Sequence, residues 1–261
     1  MNQHLITIIT VSFNAISTIE ETILSVINQT YKNIEYIIID GGSTDGTLDI
    51  IKKYESKIAK WISEPDKGIY DAMNKGIQLA TGDWINFMNC GDSFYNIDTI
   101  KNVVNKLSTI DNFDVVYGNS VINSGTTKYM VIPEKLECIT NHLPFCHQCV
   151  FVKTFLAKEY PFNLNYRFVA DYNFFYQIYH TNHKFRYFNI PISYYQTEDG
   201  YTASNMYLCY KETHKINNKN ISLKEKINYK LRSRLLNILP LFIIKAIRKS
   251  IYRNNSRFIK L

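Results

Sequence analysis

Short apolar runs alternate with helical patterns along the first 96 residues of the chain. Four runs, rich in β-branched or aromatic residues, predict buried strands at residues 5–11, 35–39, 58–62 and 84–88. Between them, apolar residues recur at helical spacing and predict helices at residues 19–29, 48–54 and 69–79. Alternation at this spacing predicts an α/β fold in which helices cover both faces of a mostly parallel sheet.

Polar residues follow each of the four predicted strands. Because the carboxyl ends of parallel strands meet at one edge of a sheet, these residues are expected to lie together. They are Ser12, Asp40, Asp66 and Asp92. Asp92 closes the stretch that is most typical of a ligand site, a loop, helix and buried strand that end in Asn89-Cys90-Gly91-Asp92. The sequence therefore predicts that Asp92 faces a metal-bound diphosphate at this edge.

The pattern after residue 96 is weaker. It predicts helices at residues 98–107 and 171–180, and strands at 115–118, 150–152, 185–188 and 192–195. Turn residues predict reversals at 125–127 and 199–202. The glycine spacings of dinucleotide-binding and Walker A loops do not occur, which disfavours those two classes of nucleotide enzyme.

Charge divides the chain unevenly. The net charge of the 261 residues is +7, yet residues 222–261 hold 11 Lys and Arg residues and a single acid, Glu225. We expect a basic amphipathic helical tail at 206–261, after a domain at 1–205 whose halves are 1–96 and 97–205. Apolar residues flanked by Lys and Arg favour an interfacial helix on anionic lipid over a solvated appendage or nucleic-acid binding. No run is long enough to predict a membrane span.

The five cysteines are not spaced like a secreted disulfide framework, which indicates a reducing compartment. Cys138, His142, Cys146 and Cys149 leave a structural zinc site open as an alternative. The other interpretation uses His147 and Gln148, inside the Cys-x-x-Cys segment, as ligands of the substrate.

Three segments of the first half together resemble the family 2 glycosyltransferases. They read TVSFNAISTIEETILSVINQTY, IEYIIIDGGSTDGT and EPDKGIYDAMNKGI followed by LATGDWINFMNCGD. The resemblance continues more thinly through CHQ, ADYNFF and DGYTAS, and it is greatest for the non-processive bacterial enzymes of O-antigen, capsule and exopolysaccharide synthesis. It implies the GT-A fold, in which a Rossmann-like nucleotide-sugar-binding half is merged with an acceptor-binding half.

The resemblance also implies roles for particular residues. It assigns the donor nucleotide and substrate contacts to Thr10, Ser12, Asn14, Asp40, Asp66, His147 and Gln148. Asp92 and Asn89 correspond to the end of a DxD-type metal motif that has kept only its last carboxylate, so Mn²⁺ or Mg²⁺ is the implied cofactor. Asp171 corresponds to the general base, although an acid in the first turn of a helix also has a purely structural explanation.

An inverting sugar transfer follows from that set of roles. The implied donor is a UDP-hexose or UDP-N-acetylhexosamine, and the implied acceptor is a sugar linked to undecaprenyl diphosphate. Such an enzyme is expected in the cytoplasm, held peripherally at the inner face of the bacterial inner membrane by its basic tail. The competing hypothesis is a nucleotide-sugar-binding protein without activity, because the metal motif is reduced.

Overall fold

The computed structural model describes residues 4–108, 112–124, 127–195, 205–239 and 241–261. Its first half contains the four predicted strands, all parallel and in the spatial order β3-β2-β1-β4. They are β1 (Ile6–Ser12), β2 (Ile34–Asp40), β3 (Lys60–Ser63) and β4 (Trp84–Phe87). The strand order reverses between β1 and β4, which is where open α/β sheets form a ligand crevice.

The first four helices of the chain pack on the two faces of these strands, as predicted. They are α1 (Ile19–Ile27), α2 (Thr47–Lys53), α3 (Ile69–Leu79) and α4 (Thr99–Leu107). Helix α3 lies very close to β1, because a Cβ atom at Gly76 would come within 2.5 Å of the Ile9 side chain. Residues of α1 and α4 share the core of the opposite face with Ile6 and Ile8.

The second half extends the same sheet with mainly antiparallel strands. It adds β6 (Val115–Ser124), β7 (Thr127–Val131), β8 (Val150–Lys153) and β9 (Phe185–Tyr195). The short strand β5 (Ser93–Phe94), at the end of the first half, pairs with β9. Strand β8 lies between β4 and β6 and is antiparallel to both, so it joins the two halves. The helices are α5 (Thr154–Glu159), which the sequence did not predict, and α6 (Ala170–His180).

The prediction of two separate strands at 185–188 and 192–195 was wrong, because β9 is one strand that spans both. It is continuous through Pro191, and the register against β6 shifts at this point. A bulge accommodates a residue that has no backbone N–H to donate. The predicted turn at 199–202 and most of the one at 125–127 lie outside the described residues.

The C-terminal segment is helical over most of its described length and ends in a strand. Its helices are α7 (Met206–Ile216), α8 (Leu223–Ile238) and α9 (Leu241–Asn254), and β10 (Phe258–Lys260) follows them. Strand β10 pairs antiparallel with β7, so it forms one edge of the main sheet. The prediction of a helical tail did not include this strand. In the described part of the chain, no helix combines the length and apolar character that crossing a bilayer requires.

Candidate active site

A buried carboxylate joins the ends of three neighbouring strands. Asp40, at the end of β2, is fully buried, and it accepts hydrogen bonds from the hydroxyls of Ser12 on β1 (2.9 Å) and Ser63 on β3 (2.7 Å). It also accepts bonds from the Gly42 and Ser43 amides and from the Ser43 hydroxyl. Burial alone would raise the pKa of Asp40, but the hydrogen bonds from Ser43, Ser63 and Ser12 outweigh it and lower the pKa. Asp40 is therefore ionised and fixes the edge of the sheet.

Three of the residues that the resemblance assigned to the nucleoside have protein partners here. Thr10 is fully buried, and its hydroxyl donates to the Met88 carbonyl at 2.8 Å. Asn14 has a positive φ of 46°, and its side-chain oxygen accepts a bond from the Thr44 amide. Asp40 already accepts five hydrogen bonds from the protein. Direct contact of these three residues with a nucleoside stays a prediction.

A cavity of about 290 Å³ opens between the end of β1 and the start of α3. We call it the β1–α3 cavity; its lining includes Ser12, Phe13, Asp66, Ile69, Asn89 and Cys90. Asp66 lies beside the backbone of Gly41, where a Cβ atom would come within 2.5 Å of its carboxylate oxygen, so a side chain at position 41 would displace the Asp66 carboxylate. Phe13 was not predicted as a site residue, although its ring is 63% exposed at this cavity. An exposed ring beside a carboxylate suits a flat heterocycle with N–H donors.

The adjoining central cavity, of about 660 Å³, holds the other predicted residues. It lies between the end of β4, the turn before β8 and the start of α6. Asn89, Asp92, His147, Gln148 and Asp171 all line it. The structure thus brings together residues that are separated by up to 82 positions in the sequence.

Hydrogen bonds connect these residues across the central cavity. The Asp171 carboxylate is 3.2 Å from His147 Nδ1, and His147 Nε2 is 3.0 Å from the side-chain nitrogen of Asn89. A second contact runs from the Gln148 amide to Asp92 Oδ2, at 2.6 Å. The turn at His147–Cys149 therefore links the base candidate on α6 to both residues of the reduced metal motif.

Asp171 is held as an ionised carboxylate. It lies in the first turn of α6, and its other oxygen is 3.1 Å from the Tyr70 hydroxyl and 2.9 Å from the Tyr172 amide. Burial alone would raise the pKa of Asp171. The hydrogen bond and charge of His147, together with the hydrogen bonds from Tyr172 and Tyr70, outweigh burial and lower the pKa below its usual value. Burial and the charge of Asp171 raise the pKa of Tyr70 well above its usual value, so the Tyr70 hydroxyl stays protonated and donates a hydrogen bond to Asp171.

The residues present fit a hard divalent cation that is completed by a ligand. Asn89 Oδ1 is buried and has no hydrogen-bond partner in the described part of the chain. Asp92 is 7% exposed and lines the same cavity. Carboxylate and amide oxygens are suitable ligands for Mg²⁺, which commonly takes one or two protein groups and completes its shell with phosphate oxygens and water. No cluster of three or more His, Cys, Asp or Glu residues suited to a metal occurs among the described residues.

Three of the four residues of the zinc alternative have side-chain partners outside that set of four. Cys146 donates to the side-chain oxygen of Gln148, and the Cys149 thiol is 3.0 Å from the Ser193 hydroxyl. His142 Nε2 is 3.1 Å from Glu134. Cys146 instead supports Gln148, the residue that bonds Asp92.

Sequence reasoning missed a carboxylate that supports the start of α6. Glu212 on α7 accepts hydrogen bonds from the backbone amides of Arg167 (2.9 Å), Phe168 (2.8 Å) and Val169 (3.2 Å). Arg167 and Phe168 line the central cavity. These amides lie just before the first residue of α6. The N-cap residue, Val169, makes no capping hydrogen bond with its side chain, so Glu212 takes the place of a side-chain N-cap. The sequence carried no signal for this contact, because it spans more than 40 residues and lies in the predicted tail.

The sheet order and the crevice beside β4 define the GT-A glycosyltransferase fold, in agreement with solved structures. TarS 1–349 of S. aureus, solved in complex with UDP, aligns at a TM-score of 0.64 with 18% identity, over 86% of this chain and 69% of that one. The mannosyltransferase PcManGT of Pyrobaculum calidifontis, solved with GDP-Man and Mn²⁺, aligns at 0.64 with 14% identity, over 98% and 83%. At these identities the likeness establishes the fold alone.

Sequence comparison establishes the family. The sequence model of the family described as "Glycosyl transferase family 2" matches residues 7–243, so the chain belongs to that family. A PGL/p-HBAD biosynthesis glycosyltransferase of Mycobacterium bovis is 33% identical over 171 residues, which are 64% of this chain and 66% of the relative. The match thus spans slightly less than two thirds of that relative. The family and the GT-A fold that the sequence predicted are confirmed.

Proposed function

We propose that this protein is an inverting glycosyltransferase that moves one sugar from a nucleotide sugar to a lipid-linked oligosaccharide. One observation carries the proposal. An ionised carboxylate, Asp171, lines the same cavity as the Asn89–Asp92 segment and is connected to it through His147. A proton acceptor and a diphosphate site in one cavity are what such a transfer needs.

The donor nucleotide occupies the β1–α3 cavity in this proposal. Asp66 accepts the N–H of the base, and Phe13 covers its ring. The diphosphate then extends over Asn89 and Cys90, which line both cavities, and the sugar enters the central cavity. UDP-hexose and UDP-N-acetylhexosamine are the donors that we expect, and UDP is the nucleotide bound in the TarS structure.

Asp171 accepts the proton of the attacking acceptor hydroxyl. Its lowered pKa keeps it ionised at neutral pH, and the Tyr70 and His147 contacts fix its orientation. No second carboxylate of the described residues lines the acceptor side of the central cavity as a nucleophile, which favours single displacement with inversion. A divalent cation, Mn²⁺ or Mg²⁺, held by Asp92 and Asn89 would neutralise charge on the departing diphosphate.

The decisive experiment is a transfer and binding screen against UDP, GDP and TDP sugars, with and without Mn²⁺. Product formation with one donor supports an enzyme, and NMR of the product's anomeric carbon tests inversion. Binding of a nucleotide sugar without any transfer or hydrolysis would instead favour the inactive nucleotide-sugar-binding protein.

Replacing Asp92 with Asn is expected to weaken Mn²⁺-dependent UDP binding by about tenfold, because a neutral amide is a poorer ligand for a hard cation. Isothermal titration of UDP should show the loss in the presence of Mn²⁺ and almost none in EDTA. Asp98→Asn is the control, since Asp98 lies on an exposed loop where its carboxylate bonds the Thr30 hydroxyl. An equal loss with and without Mn²⁺ would contradict a metal role for Asp92.

A lipid-linked acceptor requires contact with a membrane surface, and α8 carries a face that suits it. Leu223, Ile227 and Leu231 are spaced four residues apart and are 75%, 50% and 53% exposed. Lys224, Lys226 and Lys230 lie between them. An apolar stripe bordered by lysines is typical of a helix that lies in the interface of an anionic bilayer.

Changing Leu223, Ile227 and Leu231 together to Ser should therefore lower binding to vesicles that contain anionic phosphatidylglycerol, by about tenfold or more. Vesicle co-sedimentation measures the loss, and transfer to a soluble acceptor should stay within twofold. These substitutions are preferable to truncation of the tail, which would also remove β10 from the sheet. The exposed apolar residues Phe155 and Leu164, changed to Ser, are the controls. Unchanged sedimentation of the α8 variant would exclude this face as the membrane contact.

A further inference from the structure

A third cavity, of about 290 Å³, adjoins the central cavity and shares no lining residue with the β1–α3 cavity. We call it the C-terminal cavity. Leu143, Phe145, Cys146 and Tyr195 line both it and the central cavity. Because the two spaces share these four residues, they are direct neighbours. The C-terminal cavity has no part in the transfer derived above.

The outer wall of this cavity comes from the end of the chain. The cavity is lined by Tyr252 on α9, by Phe258 on β10 and by Arg257, which precedes β10. Backbone hydrogen bonds fix this wall, because β10 pairs with β7 and the amide of Ile132 donates to the Arg257 carbonyl at 2.9 Å. The wall is therefore built into the sheet and is present before a ligand arrives.

The outer wall combines aromatic rings with an ion pair. The rings of Tyr252 and Phe258 are stacked with centroids 4.7 Å apart, and Tyr129 lies 5.7 Å from Tyr252. Arg257 pairs with Glu134, and its Nε donates to the Ile132 carbonyl at 3.0 Å. A guanidinium has five N–H donors, of which these contacts use two. Sugars present C–H faces to aromatic rings and hydroxyls to such polar groups, so this combination suits a pyranose ring.

We propose that the C-terminal cavity binds the second sugar of the acceptor, the residue next to the one that receives the transferred sugar. The inference rests on the proposed function, because it takes the central cavity as the place of the accepting hydroxyl. It makes the C-terminal segment a determinant of acceptor specificity. The enzyme then prefers an acceptor of two or more sugars over a single sugar, and Tyr252 and Arg257 contribute to that preference.

The test compares acceptors of different length. The probes are methyl glycosides of common hexoses and N-acetylhexosamines, and the disaccharide methyl glycosides that end in the same sugars. One of these sugars is expected to act as acceptor. For that sugar, the wild-type protein should have a KM about tenfold lower for the disaccharide than for the single-sugar methyl glycoside. Tyr252→Ala removes the ring and Val131→Phe fills the cavity, so both should raise that KM to the single-sugar value. Neither should change kcat/KM for the single sugar or the affinity for UDP.

Ile259→Ala is the matched control, because Ile259 follows Phe258 on β10, is 42% exposed and does not line the cavity. A length preference that survives in both cavity variants overturns the inference, and so does a wild-type protein without any preference. Transfer to the single sugar tests the proposed function separately. If neither acceptor is glycosylated, saturation-transfer NMR with the UDP-loaded protein compares disaccharide binding to the wild type and to Val131→Phe. Equal signals then overturn the subsite, and a loss in the variant supports it.

Discussion

Replacing Asp171 with Asn is expected to lower kcat by about 10²- to 10⁴-fold, the usual contribution of a general base. Asn has nearly the shape of Asp and still bonds Tyr70 or His147, but it cannot take up the proton of the acceptor hydroxyl. The affinity for the nucleotide should remain within twofold, since the groups around the β1–α3 cavity belong to the first half of the chain. Initial rates at saturating donor, together with UDP titrations, measure the two quantities.

Asp114 offers a closely matched control. The side chains of Asp114 and Asp171 are both 18% exposed, and both contact a histidine, His183 in the case of Asp114. Asp114 also pairs with Lys153, and neither residue lines the central cavity. Asp114→Asn should therefore lower the free energy of unfolding and leave kcat nearly unchanged. A kcat that is equally low in both variants, or normal in Asp171→Asn, would show that Asp171 is not the base.

The first half could be predicted because its patterns are local. Strand β1 is buried along its whole length and the predicted helix at residues 69–79 matches α3, since a continuous apolar run and a helical period each leave a clear signature. The ends of parallel strands share an edge, so the approximate position of Ser12, Asp66 and Asp92 followed from topology. What each side chain bonds did not follow. Asp40 has the sequence context of a ligand contact, yet its oxygens are bonded to the ends of the two neighbouring strands, β1 and β3.

The second half was less predictable because its contacts join distant residues. The sequence cannot show that β10 pairs with β7 across 127 positions, as Phe258 does with Val131. Charge led to the prediction of a separate tail at 206–261, and charge describes the surface, not the contacts beneath it. The structure connects this segment to the site in two ways, through the C-terminal cavity and through Glu212.

Replacing Glu212 with Gln is expected to lower kcat by about 10- to 100-fold although the residue lies outside the cavity, because small displacements of a catalytic group have effects of this size. Its carboxylate satisfies three successive backbone amides just before the helix that carries Asp171. Gln keeps one acceptor oxygen and turns an amide donor toward the backbone donors. Arg167, Phe168 and the first turn of α6 should then shift. This shift moves Asp171 away from the hydroxyl of the acceptor sugar.

A matched control separates positioning from a general loss of stability. Glu225 also supports a helix start by accepting bonds from the amide and hydroxyl of Ser222, at 3.0 and 2.6 Å, but it lies in the exposed N-terminal turn of α8. Glu225→Gln should therefore destabilise its helix and leave kcat unchanged. For Glu212→Gln, kcat should fall and the acceptor KM should rise, with UDP affinity unaltered, and Glu212→Asp should restore part of the activity. Loss of UDP affinity in parallel with kcat would instead indicate that the whole domain is destabilised. The split between kcat and UDP affinity thus tests whether α7 belongs to the catalytic domain, whose predicted boundary at residue 205 lies just before it.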